Sequence, residues 1–173
     1  MDNRNILDKY KFIDHSEILN DLRAHKHNIS VLIQYVEGDF NIGTIIRNCN
    51  AFNVDSVYYH GSRRWDRRGS VGTHHYVNMK HLSSIDEIVQ LKQKHTFVGL
   101  DNNISRPIKK MPNFTWPTNT LLVLGEEQNG IIPEVLALCD HFVEIPQYGS
   151  VRSLNVGTAS GIALYDYVSK LER

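Results

Sequence analysis

The stretch whose reading decides the fold is Leu121-Leu122-Val123-Leu124-Gly125-Glu126-Glu127-Gln128-Asn129-Gly130. It is answered further on by Phe142-Val143-Glu144-Ile145-Pro146-Gln147 and Ser153-Leu154-Asn155-Val156. Two short apolar runs pass directly into glycine or small polar residues. Unbroken apolar runs of this length read as strands buried on both faces, the signature of a parallel sheet covered by helices. In such sheets ligands bind at the carboxyl ends of the strands, where the loops lie. Two polar loops with little bulk, close together in the chain, read as two walls of one site.

Outward from this stretch, strand and helix patterns alternate. Val31–Val36 reads as a strand, followed by a helix from Ile42 to about Phe52 whose Ile42, Ile45, Ile46, Cys49 and Phe52 recur at helical spacing. Asn41 falls where an N-cap is expected. Ser56–Tyr59 reads as the next strand, and Ser84-Ile85-Asp86-Glu87 as a capping box that opens a helix. Phe97–Leu100 is a further strand, Pro133-Glu134 begins a helix, and a long final helix runs from about Asn155 to Leu171. The expected fold is α/β, a parallel sheet with helices on both faces. Residues 1–30 read as a short helical extension and 31–173 as the main domain, with prolines 107, 112 and 117 marking a long connector over the sheet edge.

A chain of 173 residues with 41% hydrophobic and 22% charged residues fits one domain with a proper core. Its formal net charge of zero speaks against wholesale nonspecific nucleic-acid binding but leaves room for a local basic patch. Two cysteines, Cys49 and Cys139, make no disulfide framework, and no apolar run reaches the length of a membrane span. With no secretory signal in the first residues, the expectation is a cytoplasmic protein with no membrane partner.

Three blocks carry candidate chemistry. In Asn41-Ile42-Gly43 with Arg47, the glycine permits close backbone approach and the arginine, off the apolar stripe, offers forked donors to a phosphate. The alternative is a surface arginine packed by its stem. Gly125-x-Glu127-x-x-Gly130 is neither the dinucleotide fingerprint nor a Walker A loop, which removes the main support for hydride transfer and for P-loop phosphoryl transfer. In the third block a helix cap accounts for Ser153 but leaves Arg152 and Asn155 without a role.

A separate segment, Ser62-Arg63-Arg64-Trp65-Asp66-Arg67-Arg68-Gly69, sets four arginines around a tryptophan. That pairing supplies phosphate contacts and a stacking surface for unpaired nucleotides. A merely solvated charged loop is the competing reading. Nearby Gly72-Thr73-His74-His75 offers histidines, but the nine histidines show no zinc spacing and no metal is expected.

Together the three blocks resemble the SpoU (TrmH-type) class of the SPOUT RNA methyltransferases. Asn41-x-Gly43-x-x-x-Arg47 is similar to the family's first motif, with Asn53-Val54 departing from Phe-Gly-Val. Leu124-Gly125-x-Glu127-x-x-Gly130 is similar to the second, and Ile145-Pro146 through Ser153-Leu154-Asn155-Val156 to the third. At Gly157 the family usually carries another small polar residue, a departure expected to matter little. The resemblance implies a C-terminal trefoil knot, a homodimer, S-adenosyl-L-methionine as methyl donor, and methylation of a ribose 2′-hydroxyl in RNA. It further implies a donor pocket of Leu100, Gly125, Ile145, Ser153 and Leu154, and catalytic or orienting roles for Arg47, Asn41, Glu127, Ser153 and Asn155. Arg63, Arg64, Trp65, Arg67 and Arg68 would bind the RNA. A guanidinium is a poor base, so Arg47 either acts with a phosphate or Glu127, or only fixes the phosphate and orients the hydroxyl. The third block favours a guanosine in the tRNA D-loop, and tRNA is favoured over rRNA because no appended N-terminal RNA-binding domain is seen. The alternatives are an rRNA 2′-O-methyltransferase, a non-catalytic RNA-binding protein of the same fold, and a flavodoxin-like nucleotide binder, which would leave the arginine loop unexplained.

Overall fold

The computed structural model describes residues 4–34, 39–62, 64–126 and 129–171, with Asp39 and Phe40 described by backbone alone. Its centre is a parallel sheet of β1 (Ile29–Ile33), β2 (Val57–His60), β3 (Met79–Leu82), β4 (Thr96–Leu100), β5 (Lys109–Lys110), β6 (Thr120–Leu124) and β7 (His141–Glu144). The order across the sheet is β3-β2-β1-β6-β4-β7-β5. The helices are α1 (His15–Ala24), α2 (Asp39–Ala51), α3 (Ile85–Leu91), α4 (Pro133–Leu136) and α5 (Val156–Leu171).

Alternation along the central strands divides the core in two. Ile29, Val31 and Ile33 of β1 and Leu122 and Leu124 of β6 pack with Ile45 and Cys49 of α2 and Ala163, Leu164 and Tyr167 of α5. Leu32, Leu121 and Val123 point the other way, to Ile88 of α3 and Val135 of α4. All five residues of β1 and of β6 are buried, as the unbroken apolar runs require of strands covered on both faces. From β1 the chain first builds outward to β2 and β3, and the later strands fill the other side. The order therefore reverses between β1 and β6, where Ile33 lies beside Leu124; the carboxyl end of such a pair is where open sheets form their ligand crevice.

Several boundaries differ from the sequence reading. β1 starts at Ile29, two residues early, and Tyr35 and Val36 lie outside the described residues. α2 starts at Asp39, so Asn41 lies inside the helix rather than capping it, and Arg47 sits in its middle rather than its first turns. The proline-rich connector supplies the edge strand β5, and its Met111 and Phe114 are buried in the core. The capping box at Ser84 forms as expected, its hydroxyl accepting from the Glu87 N–H at 3.4 Å while the Glu87 carboxylate accepts from Ser83. Cys49 and Cys139 are free and buried; burial pushes the Cys139 thiol up to about 12 and the Cys49 thiol higher.

Asp140 fixes where β7 enters the sheet. Its N–H donates to the Phe97 carbonyl at 2.9 Å and its carboxylate accepts from the Phe97 N–H at 2.8 Å and from Lys92. Burial raises the Asp140 pKa, but these two bonds outweigh it and hold the carboxyl below its ordinary value of 3.8. A depressed folded pKa gives stability that is full above the unfolded value and is lost as pH falls through the folded one. Because the side chain is 39% exposed, solvent screening trims the effect. Asp140→Asn is expected to cost about 1 kcal/mol at pH 7, with the gap to wild type narrowing as pH falls below the ordinary carboxyl value of 3.8, as read by urea denaturation across that range.

Candidate active site at the α2 and α5 crossing

The carboxyl ends of β1, β4, β6 and β7 meet the crossing of α2 and α5, and small residues allow the two helices to approach closely. A Cβ on Gly157 would lie 2.9 Å from Thr44 Cγ2 and 3.0 Å from Thr44 Cβ, and one on Gly161 would lie 3.1 Å from Asn48 Nδ2. Across this seam Asn48 Nδ2 donates to the Gly157 carbonyl at 2.8 Å and to Ser160 Oγ at 3.0 Å. Gly157 thus matters more than the sequence reading expected, because Thr44 occupies the space that a side chain there would need.

The same crossing joins the first and third motifs. Asn155 Nδ2 donates to Asn41 Oδ1 at 2.8 Å, while Asn155 Oδ1 accepts from the Thr158 N–H at 3.2 Å. Asn155, not Ser153, therefore caps α5, which begins one residue later at Val156. Ser153 is exposed and makes no side-chain hydrogen bond among the described residues. Arg47 is exposed on α2 with neither a hydrogen bond nor an ion pair among the described residues.

The second motif is a tight turn. Glu126 and Gly130 exchange N–H to carbonyl bonds at 2.7 and 2.9 Å, and a Cβ on Gly125 would stand 2.3 Å from the Gly130 carbonyl carbon. Gly130 has φ of +68°, a left-handed conformation natural to glycine. Glu127 lies outside the described residues. The turn is held by Gln34, which sequence reasoning missed. This buried amide donates to the Leu124 carbonyl at 3.1 Å and accepts from the Ile132 N–H at 3.0 Å, tying β1, β6 and the turn together. Its one sequence signal is a polar residue that directly follows Val31-Leu32-Ile33.

Leu100 and Ile145, at the ends of β4 and β7, are half-buried against the α2 and α5 side of the core. Leu154 is 38% exposed. The loop between Ile145 and α5 is pinned at one carbonyl, that of Arg152, which accepts from Asn102 Nδ2 at 2.6 Å and Gln147 Nε2 at 3.3 Å. Apolar side chains at Leu100, Ile145 and Leu154, bordered by loop backbone, suit the faces and edge of an adenine.

The arginine loop lies on the same helix. A Cβ on Gly43 would come within 2.3 Å of Gly69, so α2 and the Arg67–Ser70 turn touch backbone to backbone. Gly43 thus seats the basic loop on the helix that carries Asn41 and Arg47. Arg64 and Arg67 are exposed and Trp65 is half-buried, whereas the Arg68 guanidinium is held by Asp66, its Nε 2.8 Å from Oδ2. Arg63 lies outside the described residues. No cluster of metal-ligating side chains and no helix able to cross a membrane occurs among the described residues.

Comparison with known proteins accords with this geometry. The SpoU rRNA Methylase family matches residues 28–165. A tRNA (guanosine(18)-2′-O)-methyltransferase of Escherichia coli K12 is 30% identical over 156 residues, covering 88% of this chain and 68% of the relative. An enzyme of the same name from Aquifex aeolicus is 27% identical over 150 residues, covering 84% of this chain and 71% of the relative. Among solved structures, the SpoU methyltransferase AviRb of Streptomyces viridochromogenes with AdoMet is similar, with a TM-score of 0.76 and 25% identity. That match covers 88% of this chain and 61% of AviRb. The A. aeolicus TrmH/SpoU tRNA modifying enzyme shares the fold at a TM-score of 0.79 and 24% identity, covering 91% of this chain and 82% of that one. The chain belongs to the SpoU rRNA Methylase family.

The crowded seam makes a direct prediction. Gly157→Ser, which installs a small polar side chain, is expected to lower stability by about 1–3 kcal/mol, the usual cost of overpacking. Adding Thr44→Ala, which removes Cγ2 but keeps Cβ, should recover part of the loss, and thermal melts of the single and double variants check both.

Proposed function

We propose that this S-adenosylmethionine-dependent RNA 2′-O-methyltransferase acts on the ribose of a guanosine in the D-loop of tRNA. The observation that carries the reading is the Asn41–Asn155 hydrogen bond, which joins the helix bearing Arg47 to the loop bearing Ser153 and Leu154. The choice of nucleotide draws on the relatives from E. coli and A. aeolicus, both tRNA (guanosine(18)-2′-O)-methyltransferases.

Bound S-adenosylmethionine supplies an electrophilic methyl group on a sulfonium. Leu100 and Leu154 would hold the faces of its adenine, and backbone groups of Gly125 and Ile145 would bind the adenine edge, with Ser153 beside them. Arg47 holds a phosphate of the RNA and orients the ribose hydroxyl, because a guanidinium stays protonated and cannot itself serve as the base. A phosphate oxygen or Glu127 takes the hydroxyl proton. Asn41 and Asn155, bound to each other, keep the two reactants in line, where placement lowers the barrier by several kcal/mol. Arg64, Arg67, Arg68 and Trp65, together with Arg63, grip the RNA on the α2 side. The C-terminal segment threads the 101–119 connector as a trefoil knot; the bonds from Asn102 to the Arg152 carbonyl, from Trp116 to Asp166, and from Lys170 to the Met111 and Phe114 carbonyls fit that path. A homodimer forms through α5, which leaves Ile162 and Tyr165 exposed.

Three measurements test this reading. Calorimetric titration with S-adenosylhomocysteine should show binding, and absence of heat would remove the donor site. Arg47→Ala is expected to abolish methyl transfer to tRNA in single-turnover assays while donor affinity stays near wild type; a near-normal rate would make Arg47 structural. Replacing Arg64 and Arg67 with Gln should weaken RNA binding and flatten its log–log salt dependence by roughly 0.7–0.9 per lost contact. Arg68→Gln should change it less, since Asp66 already holds that charge.

A further inference from the structure

We propose that His74 is a positioning residue for the RNA substrate, setting the presentation of Trp65 and Arg67. The proposal rests on the reading of the arginine loop as the RNA-facing surface. His74 is not an isolated surface histidine. Its Nδ1 lies 2.7 Å from Oγ of Ser70, a residue with no exposed surface. Ser70 Oγ donates its one proton to the Arg67 carbonyl at 2.8 Å. The contact with His74 is then a hydrogen bond only if Nδ1 carries the proton and donates to Ser70, leaving Nε2 bare. The chain His74 to Ser70 to Arg67 thus fixes the backbone of the turn that carries the exposed arginine.

The same ring braces the tryptophan. His74 meets Trp65 edge to face, with centroids 5.7 Å apart and planes at 87°, a favoured arrangement for aromatic pairs. His75 lies beside it with ring centroids 4.1 Å apart. Burial lowers the His74 pKa, and His75 and Arg67 add to the effect, which favours the neutral ring that this hydrogen bond uses.

Backbone geometry shows that the chain is held tightly here. Val71 has φ of +48° and Gly72 φ of +79°, so two successive left-handed residues reverse the chain and return His74 to Ser70. A β-branched residue in that region is strained and persists only where its surroundings over-determine it. The turn is also anchored from outside. Gly69 abuts Gly43 of α2, and Tyr76 meets His15 of α1 with ring centroids 5.0 Å apart. Against this fixed base, His74 is the side chain that links the buried Ser70 to the RNA-facing Trp65.

Single-turnover methylation of tRNA, RNA binding and S-adenosylhomocysteine binding on His74→Ala, His74→Asn and His74→Phe test the proposal. His74→Ala should raise the RNA concentration for half-maximal rate about tenfold, the scale of one lost hydrogen bond. The rate at saturating RNA and the S-adenosylhomocysteine affinity should stay within about twofold, the change expected where binding but not chemistry is altered. His74→Asn keeps an N–H donor towards Ser70 and His74→Phe keeps a ring behind Trp65, so each should recover part of the loss. They also carry the test if the alanine variant fails to fold. Wild-type RNA dependence in all folded variants, or a loss of saturating rate alone, would overturn the role of His74. If Arg64→Gln with Arg67→Gln weakens RNA binding while the His74 variants do not, only the His74 proposal falls. If neither set has an effect, the RNA reading of the loop falls with it.

Discussion

The site depends on how closely α2 and α5 cross. Gly157 and Gly161 remove the side chains that would hold the helices apart, and Asn48 binds the Gly157 carbonyl and Ser160 across the gap. Backbone polar groups at such a contact must be satisfied within it, and the asparagine does this while marking the register. Only at that separation can Asn155 cap its own helix with one atom and reach Asn41 with the other. The first and third motifs, 114 positions apart in sequence, thereby share one hydrogen bond.

α2 is also the base on which the arginine loop rests. Gly43 lets the Arg67–Ser70 turn sit against the helix backbone, so the cationic surface and the Arg47 side chain belong to one rigid unit. On the other side of the crevice, Gln34 fastens the Gly125–Gly130 turn to the ends of β1 and β6. A neutral protein can then offer a polyanion a local cationic face without carrying net positive charge.

Much of this was legible in the chain. The apolar runs at 31–33 and 121–124 read as strands covered on both faces, and Gly125 after the second as a turn at the end of its strand. Strand order was not legible, because it is decided by contacts between distant segments; nothing local places β6 between β1 and β4. The roles of Gly157, Gln34 and His74 were hidden for the same reason. Each is set by a partner from elsewhere in space, whether Thr44, the Ile132 N–H or the buried Ser70 hydroxyl. Local propensity did locate the cap of α3 correctly but chose Ser153 over its neighbour Asn155 for α5, and placed the start of α2 three residues late.

The coupling between Asn41 and Asn155 is the most direct measure of whether the crossing assembles the site. A double-mutant cycle on single-turnover methyl transfer, with Asn41→Ala, Asn155→Ala and the pair, isolates their interaction from the capping role of Asn155 alone. The expected result is a coupling of about 1 kcal/mol or more, with the double variant little slower than the slower single one. Effects that simply multiply would contradict it, leaving two motifs that act independently and a crossing that serves only the fold.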